Sequence, residues 1–148
     1  MAETLIERMR ADLNAARRSH DRFTTLVLST LLSDMSYQRI EAGHELTDAE
    51  AVQVLGRAIK RRREAAEQMR AGGRPELAEK EEKEAELLAR YLPPQLDEEQ
   101  VRAMVREIIA GGATNVGAVM GRLMPRIQGQ FDGREANRIA REELAGAR

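Results

Sequence analysis

The chain has 148 residues, 24 of them Lys or Arg and 25 Asp or Glu, for a net charge of −1. That balance excludes a protein that coats nucleic acid or anionic membrane with a uniformly basic surface, while leaving room for one local basic patch. Cys and Trp are absent, with two Phe and two Tyr, which removes disulfides, thiol catalysis, Cys-ligated zinc and an aromatic base-stacking platform.

The first helix is predicted from Glu3 to Ser19, with Leu5, Met9, Leu13 and Ala16 as its apolar stripe. The charges Glu3, Glu7, Arg8, Arg10 and Asp12 leave no signal-peptide core. No run of about 18 apolar residues occurs, so no membrane partner is expected and the cytoplasm is the default location. The second helix runs from Arg22 to Ala42 and stops at Gly43. Phe23, Leu26, Val27, Leu28, Leu31, Leu32 and Met35 cover more than one of its sides, which predicts the central, most buried helix.

Thr47-Asp48-Ala49-Glu50 is a capping-box pattern that opens the third helix, which reaches about Arg70. Gly72-Gly73 ends it, and Pro75 sits in the first turn of the fourth, which ends near Tyr91. So short a linker makes an antiparallel hairpin, in which facing residues have numbers summing to about 146. That register sets Met69 against Leu77, Ile59 against Leu87, Leu55 against Tyr91, and Arg62 against Glu84. Arg62 and Glu84 are expected to form a partly buried ion pair inside the hairpin.

Pro93-Pro94 marks an internal boundary, between 1–92 and 93–148. Asp97-Glu98-Glu99-Gln100 is a second capping pattern, and Val101, Met104, Val105, Ile108 and Ile109 give the fifth helix a clean apolar stripe. Asn115 caps the sixth helix, with Val116, Val119, Met120 and Leu123 inward. Gly117 and Gly121 suggest close approach of another helix, and Pro125 predicts an end near Leu123-Met124. Gln128 to Phe131 reads as loop, and Asp132-Gly133-Arg134-Glu135 starts the seventh helix. No strand-like alternation appears, so the fold class is all-α.

Catalytic chemistry is poorly represented. His20 and His44 lack partners at helical metal-site spacing, and there is no phosphate loop, dinucleotide fingerprint or nucleophile elbow. No cofactor or metal is expected. Two basic features remain. Arg57 to Arg74 carries seven basic residues against Glu64 and Glu67, but the acidic fourth helix is expected to neutralise most of them across the hairpin. Arg122 to Arg141 carries five Arg against Asp132 and Glu135. There Arg134, Arg138 and Arg141 fall within about 60° on a helical wheel, with Asn137 beside them.

Two segments also resemble a known family. Arg90-Tyr91-Leu92-Pro93-Pro94-Gln95-Leu96 is similar to the YLPxQL motif of the YqeY family. Gly117 to Gly129, continuing through Asp132-Gly133 and Asn137, resembles its glycine-rich C-terminal segment, and the Lys60–Tyr91 hairpin looks like the family's too. Gln128 stands where the family often has Lys, and Phe131 where it often has a small residue.

The resemblance implies an all-α protein, an N-terminal helical bundle and hairpin followed by a small C-terminal three-helix part. It also implies kinship with the tail of GatB, a subunit of the glutamine-dependent tRNA amidotransferase, whose tail helps recognise the tRNA body. The expected function is therefore a non-catalytic tRNA-binding or amidotransferase-related accessory protein. Arg122, Arg126, Gln128, Gly129, Arg134, Asn137, Arg138 and Arg141 are its expected RNA-facing residues. The expected partners are tRNA and aminoacyl-tRNA-processing proteins, not DNA. The alternatives are a protein-interaction adaptor, or a carbon–nitrogen ligase activity that appears only with partner subunits.

Overall fold

The computed structural model describes residues 2–147. Among them are seven α-helices and no strand: α1 (Leu5–Arg18), α2 (Arg22–Ala42), α3 (Asp48–Ala71), α4 (Pro75–Ala89), α5 (Glu98–Ala110), α6 (Val116–Ile127) and α7 (Gly133–Gly146). They form two compact units, one reaching Leu92 and the other beginning at Pro93.

In the first unit α1 packs on α2, and α3 packs along α4. Thr4 opens α1 with a capping box to Glu7. Asp48 adds a long-range cap, its Oδ1 accepting from the Leu5 N–H at 3.0 Å. The hairpin turn needs Gly73, whose φ of 75° lies in the left-handed region, and the Arg74 N–H donates back to the Met69 carbonyl at 2.7 Å. The core runs through Met9, Leu28, Leu31, Leu55 and Leu88, all fully buried. Near the tip the apolar contact thins, and Leu77 is exposed rather than covered by Met69.

The second helix is central, in contact with α1, α3 and α4, but it is not the most buried: α3 buries more of its residues. Val27, Leu28, Leu31 and Met35 of α2 are buried, while Phe23, Leu26, Tyr37 and Ile40 are exposed. The neighbours of α2 are α1, α3 and α4, and they leave its opposite face uncovered. Apolar residues at many angles show that a helix has core-forming capacity, not how many neighbours arrive to use it.

Inside the hairpin Arg62 Nε lies 3.4 Å from Glu84 Oε2, with both side chains about seven-eighths buried. Arg62 also donates from Nη1 to the Ala58 carbonyl at 3.2 Å, but its Nε makes no hydrogen bond. The pair is held by charge more than by aligned donors. A second cross-hairpin pair, Arg70–Glu82, is bidentate at 2.8 Å. The remaining neutralisation differs from expectation. Arg61 reaches across to Asp34 on α2, and Lys60 pairs with Glu64 on its own helix. Arg57, Arg63 and Arg74 have no carboxylate within 4 Å among the described residues. The α4 carboxylates face several directions, so cancellation in the charge count does not become pairing in space.

In the second unit α5, α6 and α7 each pack on the other two around Val101, Val105, Val119, Leu123, Ile127 and Ile139. Phe131 is half-buried against this same core. Two local expectations fail here. Pro125 lies inside α6, which continues to the fully buried Ile127. A helical proline orphans the carbonyl four residues back. That residue is Gly121, which is exposed, so water can serve the carbonyl. Gly117 and Gly121 are not a helix-packing surface either: both are exposed, and a Cβ at Gly121 would meet nothing within 4 Å.

That emptiness gives a stability prediction. Gly121→Ala should stabilise the second unit by about 0.5–1 kcal/mol, because alanine loses less backbone entropy in a helix and meets no clash. Chemical denaturation of the two proteins checks it.

Candidate nucleic-acid interface

The Tyr91-to-Leu96 motif makes separate hydrogen bonds in each unit. At its first end the Tyr91 hydroxyl donates to Asp12 Oδ2 at 2.5 Å, and the Arg8 guanidinium lies over the ring, 4.7 Å from its centre. Burial pushes the Tyr91 hydroxyl well above its ordinary pKa, and the bond to Asp12 raises it further. This tyrosine is thus a neutral donor locking α1 to the end of α4. At the other end the Gln95 side chain donates to the Gly129 carbonyl at 2.8 Å. The Leu96 N–H donates to the Gln130 carbonyl at 2.8 Å, and the Gln130 side-chain amide returns to the Pro94 carbonyl at 3.1 Å. These bonds shape the loop between α6 and α7. Gly129 adopts a φ of 75° within it, and Gln128 is the half-buried C-cap of α6.

The five arginines around this loop have different surroundings. Arg122 and Arg126 are four apart on α6 and both exposed. Arg126 has Glu107 at 3.5 Å. Arg134, in the first turn of α7, is exposed. Neither Arg122 nor Arg134 has a carboxylate within 4 Å among the described residues. Arg141 is exposed and donates from Nε to the half-buried Asn137 Oδ1 at 2.7 Å, which orients the guanidinium without neutralising it. Met124 packs close to Gly133, 3.5 Å from where a Cβ would stand, and so joins the end of α6 to the start of α7.

Arg138 behaves differently from its neighbours on the helical wheel. It pairs with Glu135 and Glu142 on α7, each at 2.8 Å, and with Glu98 on α5. The same lattice includes Arg102, bound to Glu98, Glu142 and Glu143, and Arg106, bound to Glu143. Hydrogen bonds from Arg138 to Glu135, Glu98 and Glu142 raise its pKa, and those from Arg102 to Glu142 and Glu143 raise that of Arg102. The carboxyls move the other way. Glu98 is lowered chiefly by Arg138, Glu142 by Arg102 and Glu143 by Arg106. Arg138 is therefore a strut between α5 and α7 rather than an open cation. A helical wheel does not reveal this, because it shows only α7, whereas Glu98 lies 40 positions upstream.

Carboxyls with lowered folded-state pKa contribute stability above the ordinary carboxylate range and lose it as pH falls through their folded values. The second unit should therefore weaken on acidification below about pH 4.5. Arg138→Ala should lower its thermal midpoint at neutral pH, with the difference shrinking in about 1 M salt as charges are screened. Thermal unfolding across pH and salt checks both.

The described residues hold no cluster of three or more His, Asp or Glu fit for a metal ion, and none of their helices is long and apolar enough to cross a membrane. The family model described as Yqey-like protein matches residues 6–144.

The chain belongs to the YqeY-like family.

Its curated relatives include fungal proteins called Altered inheritance of mitochondria protein 41, mitochondrial. The one from Clavispora lusitaniae is 31% identical over 122 residues, covering 78% of this chain and 71% of that protein. The one from Pyrenophora tritici-repentis is 26% identical over 149 residues, covering 97% and 82%. An uncharacterized Schizosaccharomyces pombe protein is 33% identical over 85 residues, covering 57% and 69%. Within this YqeY-like chain the YLPPQL segment has a physical role, because its tyrosine and its glutamine each close a hydrogen bond within their own unit.

Proposed function

We propose that this YqeY-like chain is a non-catalytic tRNA-binding accessory protein, whose second unit grips the sugar–phosphate backbone through Arg122, Arg126, Arg134 and Arg141. The observation that carries the reading is the group of exposed guanidiniums around the α6–α7 loop, three of them without carboxylate partners among the described residues. Unpaired arginines are suited to phosphate, which they can meet with two parallel hydrogen bonds. Gly121 strips a side chain from the exposed side of α6, so a backbone can come close there. Without an aromatic platform, contact is with shape and phosphate rather than with bases. Gln128, Gly129 and Asn137 support the surface from behind: Gln128 by capping α6, Gly129 through its carbonyl bond to Gln95, Asn137 by aiming Arg141. Arg138 takes no part in the grip.

The kinship with the GatB tail that the sequence resemblance implies is consistent with this assignment. Any amide transfer would belong to partner subunits. The test is binding of unfractionated tRNA to the wild-type chain and to an Arg122/Arg134/Arg141 triple alanine variant. Equal affinity of the two proteins would reject the site.

A further inference from the structure

The outward face of α2 is not explained by the tRNA reading. Phe23, Leu26, Thr30, Ser33, Tyr37 and Ile40 follow the 3-4-3-4-3 spacing of a coiled-coil seam. The large apolar members are all exposed: Leu26 is 59% accessible, Tyr37 74% and Ile40 72%. The stripe is about 26 Å long at 1.5 Å per residue, the length of an ordinary helix–helix contact. Its ends carry large apolar side chains and its middle carries Thr30 and Ser33, with Ser29 and Ser36 alongside. Small central residues let a second helix come close, while the ends supply anchors.

Charge identifies the occupant. On one side a groove between α1 and α2 is bordered by Arg10 and Arg17. On the other a groove between α2 and α3 is bordered by Arg57 and Arg61. Arg10, Arg17 and Arg57 have no carboxylate within 4 Å among the described residues, and Arg61 meets Asp34, the one acidic side chain lining either groove. An apolar stripe flanked on both sides by guanidiniums complements an amphipathic helix flanked by carboxylates. A second copy of this chain fits less well. A two-fold axis across α2 sets like surfaces against each other, and each guanidinium border then meets arginines instead of carboxylates. Nucleic acid fits less well too, since Leu26 and Ile40 offer it neither stacking face nor donor.

We propose that the face of α2 from Phe23 to Ile40 docks an amphipathic helix of a partner protein, whose apolar stripe is bordered by Asp and Glu. The probe is a displayed library of helices about as long as α2, with Leu at the seam positions and Glu, Lys or Gln at each flanking position, selected on the full chain. The expected result is enrichment of Glu over Lys at the flanks. Retention should fall about tenfold or more on a Leu26→Asp/Ile40→Asp variant, as for loss of apolar anchors. The preference should reverse toward Lys on an Arg10/Arg17/Arg57/Arg61→Glu variant. These positions are exposed or half-exposed, and circular dichroism confirms that each variant keeps its helices.

Three results would overturn the proposal. One is enrichment indifferent to flank charge, or no retention above that of the Leu26→Asp/Ile40→Asp variant. Another is sedimentation showing a dimer that Ile40→Asp dissolves, which gives the face to a second copy. The last is a fall in tRNA affinity on Tyr37→Ser, which gives it to RNA.

Discussion

Replacing Arg122, Arg134 and Arg141 with alanine is expected to weaken tRNA binding about tenfold or more at low salt and to flatten its salt dependence by about one unit of slope for each phosphate no longer held. The slope separates this from general damage, because an unfolded variant loses affinity without a defined change in counterion release. Arg138→Ala provides the contrast. Its guanidinium already meets Glu98, Glu135 and Glu142, so its removal should affect the thermal midpoint far more than tRNA affinity. Filter binding or fluorescence anisotropy from about 50 to 200 mM salt, on unfractionated tRNA, measures both. Gly121→Ala adds a third arm: a more stable protein that binds tRNA less well would place backbone against that bare stretch of α6.

Glu84→Ala is expected to destabilise the first unit by about 3 kcal/mol. Arg62 is only 14% accessible at its side chain, and a largely buried cation deprived of its partner carries a desolvation cost that nothing repays. The Ala58 carbonyl holds one end of the guanidinium, which limits escape to solvent. Replacing both residues, Arg62→Met with Glu84→Leu, should recover most of the loss, since two apolar side chains of similar bulk suit this position between the packed helices. Urea denaturation of the two variants beside wild type decides the matter. A double variant as unstable as Glu84→Ala would mean that the ion pair itself, rather than avoidance of a stranded charge, stabilises the hairpin.

Much of the helical architecture is legible in the chain, for local reasons. Thr47-to-Glu50 and Asp97-to-Gln100 close capping boxes, and Asn115 and Asp132 cap as their residue types suggest. These signals act over three or four residues, so the sequence contains both partners. What escaped was decided by neighbours far along the chain. Periodicity makes α2 look the most buried helix because it counts apolar residues and not the helices that arrive to cover them. Pro125 looks like a terminator because the local rule ignores an exposed Gly121 before it and a fully buried Ile127 after it. Gly117 and Gly121 look like a packing stripe because smallness marks a surface where approach is possible, whoever approaches. Arg138 looks like one more open arginine until α5 brings Glu98 to it. Gln95 stands in the YLPxQL motif, but the motif does not show what it holds, since its partner is a carbonyl 34 residues away.

That last bond changes how a mutational scan of this chain should be interpreted. Gln95 bonds to none of the arginines, yet it fastens the loop that separates Arg126 from Arg134. If the proposed tRNA surface is right, a substitution at 95 would score beside its arginines, with a similar loss and no altered preference for any ligand. Position 95 would thus be an acoustic echo of the proposed binding surface: it sounds where the surface is struck, and it marks a bracket rather than a hand.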